Sequence, residues 1–83
     1  MTEKELLDVF SRVLGDLLNN DSIAVTMTTR RKDVPHWDSL SYINFIATVE
    51  VELGIKFGVA DVDTFQDVGA IVRRAQVLLS KAK

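Results

Sequence analysis

The apolar positions of this chain fall into three helical patterns separated by polar breaks. Leu6, Val9, Phe10, Val13, Leu14 and Leu17 recur at steps of three and four, the spacing that lines one face of a helix. They predict a first helix over Thr2 to Leu18, opened by Thr2 and Glu5 at capping-box spacing and closed by Asn19-Asn20-Asp21. Gly15 interrupts this stretch, where it either permits a close contact or is a tolerated cost. Val68, Ile71, Val72, Ala75, Leu78 and Leu79 predict a last helix, with Gln66 or Asp67 near its N-cap. Arg73, Arg74, Lys81 and Lys83 bias that helix towards cations near its C-terminus, which suits the macrodipole.

The middle pattern organises the rest. Pro35 holds Val34 extended and marks the end of a loop. Asp38 is an N-cap candidate, and Gly54 is a C-terminal stop. Between them lies a helix of roughly four turns at 3.6 residues per turn. With each residue advanced by about 100°, Tyr42, Phe45, Ile46, Val49 and Leu53 share one side. Leu40, Ile43, Ala47 and Val51 share nearly the opposite side. Ser41, Asn44, Thr48 and Glu52 form a polar strip on one flank, and Glu50 sits on the other. A surface helix ordinarily has one apolar face. The second stripe is therefore either covered by another part of the chain or offered to a partner.

The connections are uneven. Residues 19–37 form a long one, in which Ile23, Val25 and Met27 alternate as in a strand. A lone strand has nothing to pair with, so an ordered loop whose apolar residues plug the core is expected. Arg30-Arg31-Lys32 in that loop is too short, and lacks the interleaved aromatics, for a nucleic-acid patch; it reads as solvated loop charge. Ile55 to Val59 is a short apolar link, and Ala60 to Thr64 can form one helical turn. The expected fold is all-α: a small four-helix bundle, three longer helices and one short, with a long first loop, as one domain over residues 1–83.

Composition narrows the chemistry. The chain has no cysteine, which excludes disulfides, thiolate metal sites and a cysteine nucleophile. A net charge of −2 argues against a general nucleic-acid binder. No apolar run approaches the ~20 residues that span a bilayer, and the acidic start Met1-Thr2-Glu3-Lys4-Glu5 is unlike a secretory signal. A cytoplasmic monomer, without nucleic-acid partner or membrane insertion, is expected. One histidine and scattered carboxylates show no metal-ligand spacing, and Asp61 and Asp63 read as surface or capping residues. His36, Asp38 and Ser39 have the residue types of a hydrolytic triad. Crowded at one helix start, they cannot align nucleophile, base and orienter while leaving an oxyanion site, so no catalytic residue is assigned.

Trp37-Asp38-Ser39-Leu40-Ser41-Tyr42-Ile43-Asn44-Phe45-Ile46 resembles the signature of acyl carrier proteins and related thiolation domains. Length, helix order, the long first loop, the short third helix and the acidic total extend the resemblance over the whole chain. It implies that a phosphopantetheinyl transferase attaches a 4′-phosphopantetheine arm from coenzyme A to Ser39, with Asp38 in support as N-cap. The arm's thiol would carry acyl groups as thioesters. The implied partners are that transferase, an acyl ligase or acyltransferase, and other enzymes of fatty-acid, polyketide or related lipid biosynthesis. The resemblance also places Leu40, Ile43, Ala47, Glu50 and Val51 towards partner enzymes, and Tyr42, Phe45, Ile46, Val49 and Leu53 towards a core that can shelter an acyl chain. Physics supports Ser39: unpaired N–H groups and the positive dipole end stabilise a phosphodiester at a helix start.

One departure is informative. Carriers of the fatty-acid type have a strongly acidic second helix, whereas Ser41, Asn44 and Val51 stand here at positions often acidic there. Asp38, Glu50 and Glu52 remain, so apolar contact should weigh more in docking, as in a specialised carrier. A peptidyl or aminoacyl carrier, and an interaction module that keeps the fold without the arm, are the alternative readings. Trp37 either packs on the first loop or rims the arm's channel, with packing favoured because a large aromatic gains most from burial.

Overall fold

The computed structural model describes residues 1–81. Among these, three long helices and one short helix form a bundle: α1 (Glu3–Leu18), α2 (Ser39–Leu53), α3 (Val59–Thr64) and α4 (Val68–Lys81). The start of each long helix is fixed by a side chain the sequence supplies. Thr2 and Glu5 close a reciprocal capping box on α1 (Glu5 N–H to Thr2 Oγ1 3.1 Å, Thr2 N–H to Glu5 Oε1 2.8 Å). Asp38 caps α2, and Asp67 Oδ1 accepts the Ala70 N–H at 2.9 Å to cap α4. The ends of α1 and α2 turn through the left-handed region at Asn19 (φ 54°) and Gly54 (φ 66°).

The core follows the inward stripes. Leu6, Phe10, Val13 and Leu14 of α1 meet Phe45, Ile46 and Val49 of α2 and Val68, Ile71, Val72 and Ala75 of α4. Phe10 and Phe45 pack edge to face with centroids 5.5 Å apart. Two sequence expectations need correction. Leu17 completes the α1 stripe by spacing yet is exposed, whereas its neighbour Leu18 packs half-buried against the core. Arg74 does not serve the end of α4: its Nε bonds Asp61 Oδ2 at 3.0 Å and ties α4 to α3. Among the described residues Lys81 is the one cation in the last turn, and Lys83 lies outside them.

The long loop is ordered without strand. Val25 is buried, Ile23 and Met27 are half-buried against the core, and a 3₁₀ turn spans Arg31–Asp33. The loop is pinned to the start of α4 by two backbone hydrogen bonds, Val68 N–H to Thr29 O at 2.8 Å and Gly69 N–H to Met27 O at 2.7 Å. These use N–H groups that no helix can satisfy internally. They also explain Gly69, where a Cβ would collide with the Met27 carbonyl oxygen. Gly15 has a similar cause, since a Cβ there would meet the Asn20 carbonyl oxygen at 2.9 Å. Gly69→Ala should therefore break the pin and lower stability by about 1–3 kcal/mol, the range for leaving a buried backbone group unpaired. Urea denaturation measures the loss, and amide exchange should quicken at residues 27–29. An unchanged midpoint would mean that the loop is held elsewhere.

Candidate functional site

The site begins with a turn. Val34, Pro35, His36 and Trp37 close an i to i+3 hydrogen bond, Trp37 N–H to Val34 O at 3.3 Å, and His36 adopts φ 70°. Proline at the second position and positive φ at the third are the marks of a type II turn. Asparagine or glycine would signal this conformation in a sequence; histidine does not. The turn delivers Trp37 into the core, 5% exposed, with its ring 5.2 Å from that of Phe45 and 6.2 Å from that of Tyr42. Of the two sequence readings for Trp37, packing is the main role, and it packs on α2 as well as closing the loop.

One residue later Asp38 starts α2. Its Oδ1 accepts the Ser41 N–H at 3.0 Å, and its backbone oxygen accepts that of Tyr42 at 2.8 Å. The Ser41 amide, and then the Ser41 side chain, hold the Asp38 carboxyl below its ordinary value of 3.8, against a smaller desolvation effect. Ser39 follows in the first turn, exposed, and its hydroxyl makes no hydrogen bond among the described residues. It lines a groove of about 260 Å³ with Arg31, Tyr42, Ile43, Val62 and Phe65. Asp63 also faces this groove.

Arg31 joins Tyr42 at the site through a contact that no sequence pattern marks. The Arg31 guanidinium lies 4.7 Å from the Tyr42 ring centroid, so one member of the basic cluster is placed by stacking rather than left as loose loop charge. Tyr42 donates its hydroxyl hydrogen to Val62 O at 2.8 Å and so holds α3 beside α2. Burial raises the Tyr42 pKa above 10.0, with Arg31 opposing and Asp63 reinforcing the shift. The hydroxyl therefore stays a donor at neutral pH.

The second apolar stripe of α2 is not covered by the described residues. Leu40 is 71% exposed, Ile43 55% and Val51 83%, with Ala47 exposed between them. Val59 of α3, 81% exposed, extends the stripe around a shallow trough that Ile43, Ala47, Lys56 and Val62 also line. Glu50 borders the same trough, but its carboxylate is already engaged, accepting the Phe57 N–H at 2.7 Å. Glu52 is likewise taken, by Arg12 of α1 at 3.2 Å.

The residues fit an anionic, covalently attached group in part by charge and mainly by access. Ser39 is exposed at a helix start, beside a cation, with open space in front of it. Asp38 and Asp63 oppose added negative charge, and Arg31 and the first-turn amides favour it.

No family model matches the sequence, and neither does any curated protein. Among solved structures, the chain is similar to the solution NMR structure of a holo acyl carrier protein from Geobacter metallireducens. The two are 30% identical with a TM-score of 0.84, over 92% of this chain and 87% of that one.

The Asp38 cap generates a pH dependence. A carboxyl that titrates lower when folded stabilises fully above its unfolded value, near pH 3.8, and that contribution is lost as the pH falls through the folded value. Asp38→Asn keeps a capping oxygen but cannot titrate. It should flatten part of the acid limb of a Tm–pH curve, as Glu5→Gln should at α1, where the Thr2 hydrogen bonds also lower the carboxyl. An acid limb as steep as that of the unsubstituted protein would refute the role given to Asp38.

Proposed function

The chain belongs to the acyl carrier protein family, and on that premise we propose that it carries acyl groups as thioesters on a 4′-phosphopantetheine arm attached to Ser39. The observation that carries this reading is the shared fold, with 30% identity across nearly the whole chain, to a holo acyl carrier protein. The fold makes the chain a carrier rather than a catalyst. The arm supplies a thiol that this cysteine-free sequence lacks.

The protein's own residues present and hold. Asp38 caps the helix so that Ser39 stands in its first turn, where the positive helix end and the Arg31 guanidinium would hold the phosphate of the arm. Exposure of the Ser39 side chain lets a transferase reach it. Leu40, Ile43, Ala47 and Val51, with Val59, form the docking surface, next to the arm and apolar. The two acids within α2 are engaged by Phe57 and Arg12, which leaves little free negative charge for steering. This favours a specialised carrier, with its own acyl ligase or acyltransferase, over a carrier that reaches its enzymes by charge. No helix among the described residues is long and apolar enough to cross a membrane.

Incubation with coenzyme A, Mg²⁺ and a broad-specificity phosphopantetheinyl transferase should add the mass of one arm, and Ser39→Ala should abolish the gain. A native protein left unmodified would instead favour an interaction module without an arm. Ile43→Glu should leave the Tm nearly unchanged, because the side chain is mostly exposed, yet slow arm transfer about tenfold, equivalent to ~1.4 kcal/mol of docking. Transfer at the original rate would remove Ile43 from the docking surface. The rate should also fall only weakly with added salt; a steep fall would mean that charge steers the encounter after all.

A further inference from the structure

The short helix α3 is the element least explained by burial. None of its six residues is fully buried, and Val62 is its one hydrophobic side chain packed against the core. A helix far below about 12–15 residues does not hold its place by its own backbone bonds. Yet α3 walls the region where Ser39 stands. Val62 and Asp63 line the Ser39 groove, and with Ile43 they also line the trough that runs along the exposed face of α2 to Val59. An enzyme acting on the Ser39 hydroxyl has to come in over these walls.

Two polar contacts from other helices complete the hold on it. In its last turn, Tyr42 of α2 donates its hydroxyl hydrogen to Val62 O at 2.8 Å. That carbonyl is one of those a helix end leaves without an internal partner. In its first turn, Asp61 Oδ2 accepts Arg74 Nε of α4 at 3.0 Å, and the same oxygen accepts the Gly58 N–H at 3.3 Å. Both anchors are themselves fixed. The Arg31 guanidinium lies over the Tyr42 ring, and Trp37 packs 6.2 Å from it and lines with it a second cleft beside the Ser39 groove. Arg74 is half-buried on α4. Phe57 and Phe65, which flank α3, pack edge to face at 5.4 Å and fix its ends. Two anchored ends leave rotation about the line between them free, and the two polar contacts remove it.

We propose that Tyr42 and Arg74 are positioning residues for partner docking. Together they set the rotation of α3 and keep Val59 in line with Leu40, Ile43, Ala47 and Val51 under one enzyme, the phosphopantetheinyl transferase that acts on Ser39. The proposal rests on the carrier reading for the identity of that partner. What carries it is that the same two walls, Val62 and Asp63, border both the groove of the serine and the apolar trough. The transferase reaches the one only by covering the other. Tyr42 and Arg74 act through α3 and not by touching the enzyme. A chain with α3 turned is incompetent to dock, and its population raises the apparent KM while leaving the chemistry at Ser39 as it was.

The test follows arm transfer at saturating coenzyme A and Mg²⁺ with the chain as the varied substrate, for Tyr42→Phe, Arg74→Gln and the double variant. Tyr42→Phe keeps the ring, and Arg74→Gln leaves Asp61 able to accept the Gly58 N–H. The double variant should raise KM about fivefold at an unchanged kcat, by more than the product of the single effects, because two ties on one element are lost together. A simple product, or a fall in kcat instead, overturns the proposal. Val59→Ala should raise KM about twofold in the original chain and have no effect in the double variant. The same factor in both backgrounds overturns it as well. Amide exchange in the unmodified chain separates this inference from the carrier reading. The Val62 and Phe65 N–H groups, bonded to Gly58 O and Asp61 O, should exchange about tenfold faster in the double variant, with those of Phe45 and Ile71 unmoved. If Ser39 refuses the arm, the carrier reading falls, and exchange alone decides whether Tyr42 and Arg74 hold α3, unaltered rates refuting it. If the arm is taken and the variants transfer like the original chain, the positioning role falls by itself.

Discussion

The burial of Trp37 is the contact on which the arrangement depends. It stands at the junction of the longest loop and the central helix, and its ring reaches both Phe45 and Tyr42. An aromatic side chain removes 150–250 Å² from water, a gross gain of roughly 4–6 kcal/mol at 25 cal/mol per Å². In a domain whose whole stability is a small difference of large terms, that gain decides where the loop ends. With Trp37 inward, the cap falls on Asp38 and the first helical position on Ser39. The turn before it holds His36 at positive φ, a mildly unfavourable conformation that the anchored indole sustains.

A second constraint comes from the far side of the loop. Thr29 and Met27 lend their carbonyl oxygens to the first amides of α4, so the loop completes that helix as well as plugging the core. The 3₁₀ turn that follows carries Arg31 onto the Tyr42 ring. Tyr42 in turn holds α3 through Val62. The candidate site is thus assembled from three segments distant in sequence, each fixed by a contact of a different kind: apolar burial, backbone hydrogen bonding and cation–π stacking.

This explains what could be read from the chain and what could not. Helix positions were legible because period and caps are local. Thr2 with Glu5, Asp38, Gly54 and Asp67 all mark ends that the structure places at or beside those residues. The two stripes of α2 were legible for the same reason, and the face with Leu40, Ile43, Ala47 and Val51 is indeed the one outside the core. The placement of Arg31, the pin at Gly69, the Arg74–Asp61 pair and the addition of Val59 to the exposed stripe were not legible. Each depends on which loop atom meets which helix, and no local period encodes that. Glu50 shows the limit most plainly. Its position on the helix wheel says only that it flanks a stripe, whereas its carboxylate is committed to a backbone amide seven residues on.

The same assembly determines which parts of the molecule can change independently. Trp37, Tyr42 and Phe65 belong at once to the packed interior or its edge and to the clefts beside Ser39, so altering any of them perturbs fold and site together. Leu40, Ile43, Val51 and Val59 contribute little to the core, since most of each side chain stays in water. Their apolar character is therefore not maintained by folding. A surface position that gains nothing from being apolar in the folded monomer, repeated along one helix and continued onto the next, needs a cause outside the monomer. In a domain this small, where each apolar residue in the core counts, leaving four exposed on a face that begins beside Ser39 has no cause in the folding of the monomer.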